Sequence, residues 1–225
     1  MTMTMTYVFP DLHGRLDHLQ SALVAIDAAG ATKDDTLVFL GDYIDRGPKS
    51  AQLVTMLREL LGSRPNVVCL SGNHEFMMIW GLTEGEEQLK GWLVNGGVST
   101  IESYRAAHGA LFEDAMKDDC LWFNGLPLWH EDDHRVYVHA GVHPSLPLEE
   151  QTFHMFHWMR YENMDGHGYL GKQVVHGHTP AKDNPKTFGN RTSCDTGAVW
   201  SNRYVVTVFD DAVAGGPVRV IEVNG

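Results

Sequence analysis

Five short clusters in this chain carry side chains that bind cations and move protons. They are Asp11-Leu12-His13-Gly14, Gly41-Asp42-Tyr43-Ile44-Asp45-Arg46-Gly47, Gly72-Asn73-His74-Glu75, His139-Ala140-Gly141 and His176-Gly177-His178-Thr179. In the first, a carboxylate and an imidazole two residues apart can face one ion. In the second, Asp42 has two carboxylate oxygens with which to bridge two ions, and Arg46 offers a forked donor suited to phosphate. In the third, Asn73 can ligate through its amide oxygen while His74 beside it stays free to handle a proton. Each cluster alone also has an ordinary reading: a helix cap for Asp-x-His or Asn73, a surface ion pair for Asp45 and Arg46, a structural residue for a lone histidine. Together they form a mixed oxygen and nitrogen set without cysteine, which suits Mn, Fe or Zn better than a soft metal. Two such ions ~3.5–4 Å apart lower the pKa of a shared water and clamp a phosphoryl group for in-line attack.

The elements that must position these residues follow from hydrophobic periodicity. Short apolar runs at 7–10, 36–40 and 66–70 read as strands, each ending at one of the clusters. Between them, Leu16, Leu19, Leu23 and Ile26 line one face of a helix over 16–29, and Leu53, Met56, Leu57 and Leu60 line one over 50–61. Residues 76–123 read as several helices broken by Gly81, Gly91 and the Gly96-Gly97 pair. Strands follow at 135–138, 173–175, 204–209 and 218–223. Alternation of strands and helices predicts an α/β layered fold. In such folds ligands gather beyond the carboxyl ends of strands, so five strand-end clusters predict one shared site.

Composition narrows the class. The 225 residues carry 17 basic and 29 acidic side chains, a net charge of −12, which argues against a basic groove that tracks a nucleic-acid backbone. No run approaches the ~20 apolar residues of a membrane span. The start, Met1 to Thr6, has neither the basic nor the apolar part of a signal peptide. Three scattered cysteines, Cys69, Cys120 and Cys194, form no disulfide framework and fit a reducing cytoplasm. One domain over 1–225 is the simplest organisation, with the oligomeric state left open.

In order and spacing, DLHG, GDYIDRG, GNHE, VHAG and HGHT resemble the calcineurin-like metallophosphoesterases, and within them the phosphoprotein phosphatase family with its small bacterial and phage members. The resemblance implies a β-sandwich flanked by helices with a binuclear metal centre. It implies Asp11 and His13 on the first metal, Asp42 as the bridge, and Asn73, His139 and His178 on the second. Manganese is the expected pair, with iron and zinc as the alternative. A hydroxide between the ions would attack phosphorus, and His74, oriented and kept cationic by Asp45, would protonate the leaving oxygen. Arg46 would bind phosphate oxygens, with Asn73 beside them. Phe156-His157-Trp158-Met159-Arg160 resembles the family's Trp-x-Arg segment and makes Arg160 a second phosphate clamp. Pro180 stands where many relatives outside this branch carry a further histidine ligand. The implied activity is a serine/threonine protein phosphatase, with dual specificity allowed. The alternative is hydrolysis of dinucleoside polyphosphates, but those hydrolases tend to replace the residue that this chain keeps as Asp45. Of the other histidines, His143, His154, His157 and His167 are expected to be structural or at the surface, and His176 to support a ligand from behind.

Overall fold

Two five-stranded sheets pack face to face in the structure, a computed structural model that describes residues 4–161 and 166–224. The first sheet has the order β10-β9-β1-β2-β3, built from β1 (Met5–Phe9), β2 (Thr36–Phe39), β3 (Val67–Cys69), β9 (Arg203–Asp210) and β10 (Arg219–Asn224). Strands β1, β2 and β3 run parallel, and β9 runs antiparallel to β1 and β10. The second has the order β4-β5-β6-β8-β7, from β4 (Trp129–Glu131), β5 (Arg135–Val138), β6 (Gln173–His176), β7 (Lys186–Phe188) and β8 (Arg191–Ser193). Its three inner strands β5, β6 and β8 are parallel.

Strand alternation divides the core into layers. Val8, Val38, Tyr137, Val175 and Phe209 point between the sheets. Their neighbours Tyr7, Phe9, Leu37 and Phe39 point the other way, under α1 (Leu16–Ala28) and α2 (Ser50–Ser63). Val136, Val138 and Val174 face outward under Phe156 of α7 (Phe153–Trp158). The expected sandwich with flanking helices is therefore what the chain forms.

The helical middle differs in detail from the expectation. Gly81 lies inside α3 (Asn73–Thr83) and Gly91 inside α4 (Glu86–Trp92), so neither glycine breaks a helix. Gly81 instead lets α4 approach, since a Cβ there would lie 3.1 Å from the Trp92 ring. The real breaks are at Glu84-Gly85 and at Gly96, whose φ of 118° only glycine adopts readily. Two further helices follow, α5 (Val98–His108) and α6 (Phe112–Asn124). Among the described residues no helix is long and apolar enough to cross a membrane. The three cysteines are unpaired.

One buried residue on α1 gives a testable pH dependence. His18 is fully buried beside the Tyr204 ring, and neither ring nitrogen has a hydrogen-bond partner among the described residues. Burial lowers its pKa from 6.5 to about 4. The folded form thus resists a proton that the unfolded chain accepts, so this contribution is intact above pH 6.5 and is lost as pH falls towards 4. Urea denaturation of His18→Leu should show a stability advantage over the parent chain that widens through that window. A pH-independent difference would contradict this assignment.

Candidate metal centre and active site

The strand ends deliver the expected residues to one place. Asp11 follows β1, Asp42 follows β2, Asn73 opens α3 after β3, His139 follows β5 and His178 follows β6. None of Asp11, His13, Asp42, Asp45, Asn73, His74 or His139 is more than 5% exposed, while Arg46 and His178 are half-buried. The turns that carry them are strained. Of seven non-glycine residues with positive φ among the described residues, five are His13, Asp42, Asp45, Arg46 and His178. Strain of this kind persists where the surrounding structure over-determines it.

Three imidazoles face the site, and two of them share one hydrogen-bonding pattern. His13 Nδ1 donates to the Ile44 carbonyl and His139 Nδ1 to the Leu40 carbonyl, each at 2.9 Å. Backbone acceptors of this kind fix the tautomer and leave the other nitrogen with a lone pair, as metal ligation requires. His139 Nε2 turns inward and, like His178 Nδ1, lies close to Asn73 Oδ1, at 2.9 and 3.0 Å. Burial lowers the pKa of all three well below the usual imidazole range, to about 4 for His178, which keeps them neutral.

Asp42 lies between the two halves of this set. Its Oδ1 is 3.5 Å from His139 Nε2 and its Oδ2 is 3.6 Å from His13 Nε2. Asp11 receives the His178 backbone N–H at 3.1 Å, and Gly177 admits this contact because a Cβ there would sit 2.2 Å from Asp11 Oδ1. Burial raises the pKa of both carboxyls well above the usual range; next largest is the charge of Asp195 for Asp11 and of Asp11 for Asp42. Clustered buried carboxylates beside neutral imidazoles fit divalent cations, whose charge removes that repulsion. One contact competes with this fit: the Arg46 guanidinium reaches His13 Nε2, so an ion held by His13 must displace it from that nitrogen's single lone pair.

His74 differs from the other three. Its Nδ1 pairs with the Asp45 carboxylate at 2.6 Å, and its Nε2 is 3.9 Å from Asp42 Oδ2. Burial lowers the imidazole pKa, assisted by Arg46 and His178, and burial raises Asp45 to about 7. The 2.6 Å contact makes ring and carboxylate one hydrogen-bonded pair, which fixes how the ring is oriented. The ring is also close enough to His13 and Asp42 to form a possible ligand group with them. Its carboxylate partner sets it apart from the other three imidazoles.

The helical middle now has a role. Trp92 Nε1 donates to Asp45 at 3.0 Å, and Thr100 Oγ1 donates to it at 2.7 Å while accepting the Asp45 N–H. The Gly96 carbonyl accepts from the Arg46 N–H. A Cβ on Gly97 would lie 2.6 Å from the Trp92 ring. Gly97→Ala should therefore cost about 1–3 kcal/mol of stability, as overpacking does, and lower kcat by displacing Asp45. Unfolding curves and steady-state rates that match the parent chain would remove Trp92 from this role.

Two more functional candidates emerge that the motifs alone did not single out. Fully buried Glu75 accepts the backbone N–H groups of Asp42, Gly72 and Tyr43 at 2.8–2.9 Å, fastening the Asp42 turn to α3. Asp195, after β8, is 3% exposed, and burial raises its pKa to about 6. Both line or support a pocket of about 290 Å³ that Asp11, Asp42, Arg46, Asn73, His74 and His178 share with Asp195, Arg160, Met77, Trp158 and Trp200. Exposed Arg160, the candidate from the Trp-x-Arg match, is among the residues that line this pocket. His176 does not reach the site: it accepts from Arg191 Nη1 at 2.8 Å and bonds the Gly177 carbonyl, bracing the loop from behind. A larger groove of about 580 Å³ between α3, α5 and α6 has an apolar lining, including Leu82, Ile101, Phe112 and Met116, and holds none of these residues.

A two-sheet sandwich whose strand ends gather this donor set defines a metallophosphoesterase. The chain belongs to the calcineurin-like phosphoesterase family, whose model matches residues 5–210. It is 28% identical to serine/threonine-protein phosphatase 1 of Salmonella typhimurium over 205 residues, 88% of each chain. It is 30% identical to the symmetrical bis(5'-nucleosyl)-tetraphosphatase of Pseudomonas syringae over 151 residues, 66% of this chain and 45% of that protein. The chain thus spans about half the length of the tetraphosphatases it matches. Its fold is similar to a protein serine/threonine phosphatase from Saccharomyces cerevisiae, with a TM-score of 0.60 at 15% identity, covering 98% of this chain and 79% of that one.

Proposed function

We propose that this chain is a phosphomonoesterase that removes phosphate from phosphorylated serine and threonine side chains of proteins in the cytoplasm. The observation that carries this reading is the size and charge of the pocket. Its volume of about 290 Å³ and its two cationic side chains, Arg46 and Arg160, suit one phosphoryl group and the side chain bearing it. The serine/threonine phosphatase matched along 88% of its own length supports the same reading.

In this proposal Asp11, His13, Asp42, Asn73, His139 and His178 hold two divalent ions, manganese in the first instance. When bound, they supply Lewis-acid stabilisation of phosphoryl oxygens and a water of lowered pKa. Arg46, with one face against Trp200 at 4.8 Å from the ring centroid, holds phosphoryl oxygens, and Arg160, which lines the same pocket, adds a second cationic clamp. Asn73 lines the same pocket. His74 gives its proton to the leaving oxygen while Asp45 holds the ring in place.

One observation favours the second reading, hydrolysis of dinucleoside polyphosphates. A groove of about 640 Å³ continues past Trp200, lined also by Lys182 and Arg203, with room for a nucleoside. Comparing kcat/KM for a phosphoserine peptide and for diadenosine tetraphosphate decides between them. The phosphatase reading expects the peptide to be the better substrate, and a preference for the dinucleotide would overturn it.

A further inference from the structure

The two halves of the proposed donor set are unequal. Besides the shared Asp42, one half has Asn73, His139 and His178, whereas the other has only Asp11 and His13. Manganese takes an octahedral shell, so the poorer half leaves more of its places to water. Pro180, two residues beyond His178, brings no donor to fill one.

What packs against Pro180 is the turn of Asp195. A Cβ on Gly197 would lie 3.3 Å from the Pro180 Cβ. The Asp195 carbonyl accepts the Ala181 N–H at 3.1 Å and Asn184 Nδ2 at 2.6 Å. These contacts fasten Asp195 to the loop beyond His178, and its side chain lines the same pocket as Asp11. Asp195 is 3% exposed, and its charge bears on Asp11 more strongly than that of any other residue. Its Oδ1 accepts the Gly197 N–H at 2.8 Å. Among the described residues no further donor reaches the carboxylate and no cation pairs with it; Arg46 and Arg160 act on it only from a distance. A carboxylate this buried with an oxygen left over is costly unless something completes it. Direct ligation does not fit, because the close groups of donor atoms that Asp42 forms with the imidazoles do not include Asp195.

Resting on the two-ion reading, we infer that Asp195 is a positioning residue for the Asp11–His13 ion, accepting with its free oxygen a hydrogen bond from a water in that ion's shell. The buried carboxylate thereby gains a donor, and the ion gains a nearby negative charge and an oriented water where the chain offers it fewest ligands.

The test titrates manganese by calorimetry into the metal-stripped parent, Asp195→Asn and Asp195→Ser. Asparagine keeps an oxygen for the Gly197 N–H but turns an NH₂, a donor only, towards the water. In Asp195→Asn one of the two binding steps should weaken by roughly 10–100-fold, the range for losing an outer-shell partner, and the other should match the parent. Asp195→Ser has an oxygen for the Gly197 N–H and none to spare for the water; it should behave alike, and it carries the test if Asp195→Asn does not fold. A double-mutant cycle locates the loss. Combined with His13→Ala it should shrink, because both residues act on one ion, and combined with His139→Ala it should persist in full. The reverse pattern would overturn the assignment. So would two steps at parental affinity in Asp195→Asn, or equal weakening of both, the mark of a merely structural turn. A parent chain that binds fewer than two ions would remove the reading beneath it.

Discussion

His74→Asn is expected to lower turnover by roughly 10²–10⁴-fold, the range for losing a positioned general acid, while two metal ions stay bound. The expectation rests on how its ring is held. His13 and His139 each give Nδ1 to a backbone carbonyl and leave Nε2 for the site, whereas His74 gives Nδ1 to the Asp45 carboxylate at 2.6 Å. Asparagine keeps a polar side chain on the first turn of α3 but cannot deliver a proton. The loss should be largest for esters with poor leaving groups and smaller for p-nitrophenyl phosphate, whose leaving group needs little protonation. Metal content separates the roles. His74 Nε2 lies 3.9 Å from Asp42 Oδ2, so a variant that loses an ion would show His74 to be a ligand.

Asp42→Asn has the second largest expected effect, and it should strike both metal positions at once. Its two oxygens face different halves of the donor set, Oδ1 towards His139 and Oδ2 towards His13. Asparagine offers one carbonyl oxygen and one NH₂, which repels a cation and leaves one half without its carboxylate. Affinity at both positions should fall beyond the roughly 10–100-fold that losing an outer-shell partner costs, and turnover should fall with it. Metal analysis after dialysis checks this; two ions retained at parental affinity would contradict the bridging position.

Much of this arrangement was legible in the chain because strand ends and polar clusters coincide. Apolar runs such as Val8-Phe9 and Val38-Phe39 have a period that places them in a sheet, and the first polar residue beyond each falls at the sheet edge. Asp195 obeys the same rule, but the sequence does not mark it as a strand end because its strand is hidden. In β8, Arg191-Thr192-Ser193 is buried yet has no apolar residue, so periodicity gives no signal. The three-residue strands β4 and β7 were hidden likewise, by length and by polar or mixed composition. The contacts of Asp45 were beyond reach for another reason. Trp92 and Thr100 are 47 and 55 residues away in the chain, and nothing local marks an indole N–H that will meet a carboxylate. Glu75 was visible as part of its motif, but only the fold shows its side chain gripping the Asp42 turn. Asn73 was legible in type and misleading in its ordinary reading: it begins α3, yet its amide oxygen faces His139 and His178 instead of capping the helix.

In the proposed function, two cations held by Asp11, His13, Asp42, Asn73, His139 and His178 make this chain a phosphoester hydrolase. Titrating the metal-stripped protein with manganese, while following hydrolysis of p-nitrophenyl phosphate and bound metal together, tests it most directly. Activity should be absent at the start and should rise to a plateau as binding reaches two ions per chain. Full activity in the stripped protein, or a plateau reached with one ion bound, would contradict it.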